Sequence, residues 1–337
     1  MKNQASLKDI AKALNISIST VSRALRDTGE IHPDTRKQVL ELAGKLNYKP
    51  NPLAMGLLKN RTQTIGVIIP EIENNYFSSI LRGIDKVAGE NDFRIITCYT
   101  GESQQTEVRA VNDLMFSRVD GIIACPANDL TDYQHFQELI DAKIPLVHLD
   151  RDCIDLQVTK IMTNNYTAAF IVTEYLIKTG CRRIALITNL EPLSVGRQRY
   201  EGYQEALARY GIDFNRELIV HSNLGISTSM EGAKHLLEFS PLPDAIICNN
   251  DTVAMATMKV LKDNGLQIPQ DVSVVGFSDD PFSSFLEPSL TTVSQPSYLM
   301  GLKAMETILA MLHNEIPLNV ENRIVMDSAF IIRNSIR

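Results

Sequence analysis

The chain has 337 residues, 44% apolar and 22% charged, with 33 Lys and Arg against 40 Asp and Glu, which excludes a disordered or fibrous chain and suits two or three globular domains. No run approaches the roughly 18 apolar residues a membrane helix needs, and no apolar signal core comes after the start, so the expected location is the cytoplasm. Cys98, Cys125, Cys153, Cys181 and Cys248 are dispersed without paired spacing, which argues against a zinc site or a disulfide framework.

Charge is unevenly placed. Residues 1 to 62 carry 11 basic and 5 acidic side chains, a net +6, so the remainder of a chain of net −7 carries −13. Basic segments bind phosphate backbones by releasing condensed counterions, whereas an acidic body is repelled, so this asymmetry fits one end that faces DNA and one that avoids it. Ser6-Leu7-Lys8-Asp9 is a helix-capping signature, and Leu7, Ile10, Ala11 and Leu14 recur at helical spacing. Asn15 tolerates the left-handed conformation that ends a helix, and Ser17 can cap a second helix from Ile18 to Leu25. On that helix the spacing turns Thr20, Val21 and Ala24 inward and Ser19, Ser22, Arg23 and Arg26 outward. Small hydroxyls with two arginines make a face that can enter a major groove. A third helix is expected from Pro33 to Leu46, ended by Asn47-Tyr48-Lys49-Pro50.

Leu7-Lys8-Asp9-Ile10-Ala11, then Ser19-Thr20-Val21-Ser22-Arg23-Ala24-Leu25, then Leu46-Asn47-Tyr48-Lys49-Pro50-Asn51 together resemble the amino-terminal signature of LacI/GalR-type bacterial transcription regulators. The likeness continues through Thr64-Ile65-Gly66-Val67-Ile68 and covers essentially the whole chain. It implies a helix-turn-helix DNA-binding domain at 1–49, a hinge helix at 50–62 and an effector-binding and dimerisation domain at 63–337. The residues expected at DNA are Ser6, Ser17, Ile18, Ser19, Thr20, Ser22, Arg23, Arg26, Asn51 and Leu57. In the resembled family the hinge leucine, here Leu57, wedges into the minor groove, where an apolar side chain can unstack and kink DNA. Arg23 is the best base reader, Ile18 can touch a thymine methyl, and Ser19 is permissive. Met55 stands where the family usually has arginine, which removes one potential DNA contact.

From Thr64 onward short apolar runs alternate with helical segments, the signature of repeated βαβ units and mainly parallel sheets. Expected strands are Ile65 to Ile69, Phe93 to Cys98, Gly121 to Ala124, Leu146 to Leu149, Ile184 to Thr188, Leu218 to His221, Ala245 to Cys248 and Val272 to Phe277. Ligands in such sheets bind beyond the carboxyl ends of strands, and the residues just past these runs are polar: Asn74 and Tyr76, Asp150-Arg151, Asn189, Asn249-Asn250-Asp251 and Ser278-Asp279. Amides, carboxylates and arginine can bond several hydroxyls at once, and an aromatic ring can stack on a sugar face or a base, so the set suits a small polyol or sugar.

The resemblance implies an α/β body of two lobes like a type I periplasmic binding protein, with the lobes near 63–163 plus 293–323 and 164–292 plus 324–337. It names Tyr76, Phe77, Asp150, Arg199, Asn250, Asp251, Ser278 and Asp279 as effector-binding positions. Ser278 stands where many relatives have aspartate. No P-loop, G-x-S-x-G elbow or HExxH motif is present and the six histidines are scattered, so no enzyme, cofactor or metal is expected. The expected partners are near-palindromic double-stranded operator DNA, a second copy of the chain and a small effector of carbohydrate type, with no membrane. Control by a phosphorylated metabolite or a partner protein is the alternative.

Overall fold

The computed structural model describes residues 6–26, 31–46, 48, 61–73, 75–151, 156–190, 195–223, 225–318 and 320–337. Asn51, Met55 and Leu57 lie outside the described residues, as does the side chain of Arg26. The chain divides into two compact units, Met1–Thr62 and Gln63–Arg337.

In the first unit, Ser6 and Asp9 cap α1 (Leu7–Leu14) reciprocally: the Ser6 amide and hydroxyl donate to the Asp9 carboxylate at 2.8 and 2.7 Å, and the Asp9 amide donates back. This box meets amides that the first turn leaves without intrahelical acceptors. Asn15 ends the helix at φ 53, and α2 (Ile18–Arg26) starts after a short turn whose Ser17 hydroxyl accepts from the Thr20 amide at 3.0 Å. Helix α3 (Pro33–Lys45) begins at the proline, where a missing amide costs nothing. Ile10, Val21, Ala24 and Val39 are fully buried where the three helices meet.

The second unit holds two six-stranded sheets. The first runs β11-β5-β4-β3-β1-β2, all parallel, from β1 (Thr64–Ile69), β2 (Arg94–Tyr99), β3 (Gly121–Ala124), β4 (Leu146–Leu149), β5 (Thr159–Thr163) and β11 (Asn322–Met326). The second runs β12-β10-β9-β8-β6-β7, from β6 (Ile184–Thr188), β7 (Ile219–His221), β8 (Ala245–Cys248), β9 (Ser273–Ser278), β10 (Thr291–Ser294) and β12 (Ala329–Ile331), with β12 antiparallel at its edge. Both share one pattern, in which the chain adds its second strand on one side of the first and its third on the other. The resulting switch points lie between β1 and β3 in one lobe and between β6 and β8 in the other, where an open α/β sheet leaves a crevice at its carboxyl edge.

The chain passes between lobes at Thr163–Asn165, at Ser294–Ser297 and at Met326–Ala329. The second and third passages fall a few residues later than the sequence boundaries, because β10 completes the second sheet and β11 the first. Strand β5 was not among the expected strands, since Thr159, Lys160 and Thr163 interrupt its apolar run. Lys160 is nevertheless fully buried, with Glu321 at 3.6 Å beside the neighbouring strand.

Helices cover both faces of the sheets. In the first lobe, α4 (Asn75–Glu90) packs on α11 (Ser297–Leu312), and Gly83 and Gly301 allow this crossing, because a Cβ at either would run into the facing helix's carbonyl at Tyr298 or Ile80. In the second lobe, α7 (Asn165–Lys178) packs on α8 (Val195–Arg209) in the same manner. The remaining α-helices among the described residues of this unit are α5 (Gln104–Phe116), α6 (Gln134–Asp141), α9 (Ile226–Leu236) and α10 (Asp251–Asp263). No helix among the described residues is long and apolar enough to cross a membrane.

Candidate functional site

The carboxyl ends of β1 and β4 supply the first lobe's polar wall. Tyr76 lies in the first turn of α4, and its hydroxyl donates to Asp150 at 2.6 Å. Burial, then the Asp150 carboxylate, pushes that hydroxyl well above its usual pKa, so it remains a donor. Asp150 is itself buried and sits just beyond β4 with φ 65. Phe77, expected on the cleft wall, instead packs in the lobe core and meets the Tyr76 ring edge-on at 5.2 Å, so it acts as a backing for the tyrosine. The neighbouring Arg151 is paired bidentately with Glu102, both bonds being 2.6 Å, and also donates to the Pro126 carbonyl. Its charge is therefore matched within the lobe.

The second lobe presents Arg199, carried on α8 and 3% exposed. Its Nε donates to Asn165 Oδ1 at 2.9 Å, Nη1 to the Asn249 carbonyl and Nη2 to Gln295 Oε1 at 3.4 Å, while the guanidinium lies 4.2 Å from the Phe277 ring centroid. Burial lowers Arg199 to about 10, opposed by Asp150 and Tyr76 of the other lobe and by Asp251. It therefore stays a cation at neutral pH and lies within electrostatic range of the Tyr76–Asp150 pair. Gln295 and Asn165 both donate their amides to Thr163 Oγ1, at 3.0 and 3.1 Å. Arg199, Asn165, Thr163 and Gln295 thus close a buried ring across two of the three passages between lobes.

Neither Asn165, Thr163 nor Gln295 was among the expected site residues. The signal was present, because each follows or ends a strand, but β5 and β10 were not read as strands. Other expected positions have local duties. Asn250 caps α10 by accepting from the Val253 amide at 2.8 Å. Asp251 accepts from the Asp280 amide at 2.8 Å, the Ser283 hydroxyl at 2.6 Å and the Thr292 hydroxyl at 2.5 Å, so both its oxygens are occupied within the lobe. Burial raises it to about 6 despite these donors. Asp279, at φ 56, pairs with Arg333 at 2.7 Å, and Ser278, at φ 116, lies half-buried beside it.

In the first unit, Ile18 and Arg23 are exposed and Ser22 is half-buried. Ser17 Oγ is 2.7 Å from both Ser19 Oγ and Thr20 Oγ1. Thr20, expected to face inward, is thereby drawn into the capping group. Ser6 is engaged in capping α1.

Two family descriptions match the chain: "Bacterial regulatory proteins, lacI family" over residues 6–51, and "Periplasmic binding proteins and sugar binding domain of LacI family" over 62–328. The chain belongs to the LacI family. Among its relatives, the HTH-type transcriptional regulator RegA of Clostridium saccharobutylicum is 34% identical over 92% of this chain and 93% of its own. The ribose operon repressor of Haemophilus influenzae is 30% identical over 98% of both. A solved structure of the transcriptional regulator CelR with cellobiose is 27% identical, with a TM-score of 0.74 over 98% of this chain and 99% of that one. This LacI-family member is accordingly a helix-turn-helix transcription regulator with a periplasmic-binding-protein-like effector domain, from a family of regulators rather than enzymes.

Proposed function

We propose that this regulator is a homodimeric repressor, acting in the cytoplasm, whose hold on a near-palindromic operator is set by a small polyhydroxylated effector bound between the lobes of residues 63–337. The observation that carries the reading is the meeting of Tyr76 and Asp150 from one lobe with Arg199 from the other, across a ring that ties two of the passages. One carboxylate, one arginine and a phenol are suited to a neutral ligand with several hydroxyls, because Arg151 is already matched by Glu102 and supplies no second cation. Ser278 offers a further hydroxyl. Cellobiose in the CelR complex and ribose in the name of the second relative belong to the same chemical class.

In this reading residues 1–49 recognise DNA and residues 50–62 form the hinge, with Asn51 and Leu57 at the minor groove. Two-fold protein symmetry is mirrored in the operator. The effector shifts operator affinity only by its differential affinity for two arrangements of the lobes.

The test is a thermal-shift screen of the full-length protein against ribose, cellobiose, galacturonate, their phosphates and hypoxanthine, and then operator binding with each hit. Mass action raises the melting temperature for any ligand that binds only the native state. A carbohydrate is expected to raise it, to change operator affinity, and to lose both effects in Arg199→Ala. A response to phosphates alone would reassign the cleft to a phosphorylated metabolite. No response in the whole series would overturn the carbohydrate reading and move the search to a protein bound by the body.

A further inference from the structure

We infer that the Glu102–Arg151 ion pair is a charge filter for the effector cleft: it spans the crevice of the first lobe and neutralises an arginine that would otherwise accept a carboxylate or a phosphate ester, so that Glu102 selects neutral effectors over anionic ones. This rests on the carbohydrate reading and assigns its discrimination to one residue.

The pair joins segments that leave the sheet far apart. Strand order places β3 and β1 between β4 and β2, and Arg151 stands just beyond β4 while Glu102 stands just beyond β2. With neighbouring strands about 4.8 Å apart, these two ends are separated by roughly 14 Å. The side chains close that gap, Nη1 donating to Oε2 and Nη2 to Oε1, both at 2.6 Å. On the way, Nη1 also donates to the Pro126 carbonyl beyond β3 at 2.6 Å, and Glu102 Oε2 accepts from the Asn128 amide at 3.0 Å. The Gly101 amide donates to the Pro70 carbonyl beyond β1 at 2.9 Å. The bridge is thus fastened at the carboxyl ends of four strands and passes over the switch point between β1 and β3, where an open sheet takes its ligand.

The backbone is bent to seat it. Glu102 has φ 62, and Asp150, next to Arg151, has φ 65, a left-handed conformation that residues other than glycine rarely adopt. The Arg151 amide closes the turn at Asp150 by donating to the Leu149 carbonyl at 2.6 Å. Such conformations persist where surrounding contacts over-determine them, and they gather at ligand clamps. Here one turn sends Asp150 to Tyr76 and Arg151 to Glu102. The Arg151 side chain is 7% exposed and that of Glu102 37%. An entering anion therefore meets the carboxylate first, and behind it a guanidinium whose bidentate face is occupied. It must displace a partner of its own charge, whereas a neutral hydroxyl competes with neither group. With the pair closed, Asp150 and Arg199 give the cleft wall one charge of each sign. Without Glu102 there is one positive charge in excess, buried and uncompensated, which an anion relieves.

The experiment uses the full-length protein. Glu102→Gly removes the carboxylate, leaves a residue suited to φ 62, and opens Arg151 to solvent. Melting is followed at pH 7 in sodium acetate and in sodium chloride of equal concentration. Acetate is expected to raise the melting temperature of Glu102→Gly above its value in chloride, because it binds the native state where the carboxylate stood. The wild type and Glu102→Gly/Arg151→Gln are expected to respond to the two salts alike. Galactose and galacturonate, which differ in one carboxylate, are then titrated by calorimetry. The affinity for galacturonate relative to galactose is expected to rise about ten- to hundredfold in Glu102→Gly, the scale of one charge-assisted bond, and to fall back when Arg151→Gln is added, a pattern that misfolding does not produce. A wild type that binds galacturonate as tightly as galactose, an affinity ratio that Glu102→Gly leaves unmoved, or acetate acting on the wild type and Glu102→Gly equally would each overturn the inference and leave the carbohydrate reading standing. Rescue of Glu102→Gly by acetate in a protein that binds no carbohydrate would instead keep the anion exclusion and overturn the carbohydrate reading alone.

Discussion

Asp251 illustrates how a residue in a cleft-facing motif can be held for another purpose. Its carboxylate gathers an amide and two hydroxyls from the segments that come after β9 and form β10, and Gly276 is required opposite it because a Cβ there would collide with Asp251 Oδ1. Burial nevertheless raises its pKa to about 6, above the usual value near 4. The native state therefore binds more protons than the unfolded chain between those two values, so this carboxyl favours the native state at low pH and that contribution disappears as pH rises through 6. From pH 5 to pH 7 the loss amounts to about 1 kcal/mol. Urea unfolding of the wild type and Asp251→Asn at both pH values measures it: the stability difference between them is expected to move in favour of the variant by about that much at pH 7. His148 has the opposite sign. Burial, then Lys160 and His135, lower it to about 3, so the native state loses stability as pH falls below the ordinary histidine value near 6.5. Neither of its ring nitrogens has a hydrogen-bond partner among the described residues, and its ring meets Phe136 edge-on at 4.6 Å. His148→Leu is expected to unfold later than the wild type in acid, with the gap widening from pH 7 to pH 5.5. A constant gap would mean that the wild-type imidazole titrates normally.

At the scale of elements, two of the passages between lobes are joined by a buried ring of polar side chains. Gln295 accepts from Arg199 and donates to Thr163, so it ties the end of the second sheet to the end of the first through the arginine proposed to meet the effector. Gln295→Leu removes both bonds, so Arg199 Nη2 loses its bond to Gln295 and Thr163 Oγ1 keeps only the Asn165 amide, at an expected cost of about 1–3 kcal/mol in urea unfolding. Thr163→Val is expected to cost a similar amount, and the double variant less than the sum, with a coupling of about 0.5–3 kcal/mol. Strict additivity would mean that the ring is four separate contacts. Much of the surrounding frame was legible in the amino-acid order. Strands such as β1, β3, β4, β6 and β8 are buried on both faces, so they appear as unbroken apolar runs, and the polar residues beyond them led to Tyr76 and Asp150, whereas Arg199 was named through the family resemblance alone. Strand β5 was hidden because Lys160 belongs to a surface strand by local rules, whereas it is fully buried with Glu321, far along the chain, at 3.6 Å. With β5 went the reading of Thr163 and Asn165. Asp251 and Asn250 have local duties that the amino-acid order does not show, since a carboxylate or amide after a strand can serve a helix end or a neighbouring loop as well as a ligand, and only tertiary geometry reveals the first use.

The whole molecule joins a head of net +6 to a body segment of net −13, an arrangement in which attraction to DNA is confined to one end. In the proposed homodimer two heads act together, and each lobe leaves large apolar side chains in solvent that suit its interface. Phe116 at the end of α5 is 92% exposed, and in the second lobe Phe282 and Phe285 are 67% and 83% exposed. Fully burying such a side chain stabilises an association by roughly 1.5–3 kcal/mol, and aromatic residues are favoured at the centre of interfaces. Phe116→Ser and Phe285→Ser remove most of that apolar area without touching a lobe core, so each variant is expected to melt within a few degrees of the wild type while its dimer dissociates at about tenfold or more higher concentration in sedimentation. Operator affinity is expected to fall with dimerisation, since a monomer engages one half-site only and loses the effective concentration that the second head supplies. The weakened variant binding its full operator should approach the wild type bound to an isolated half-site, with a correspondingly smaller dependence on salt because fewer phosphates are contacted. Unchanged sedimentation of both variants would locate the interface elsewhere on the body. A monomer that kept full operator affinity would instead show that one head suffices, and the two-fold relation between protein and operator would have to be abandoned.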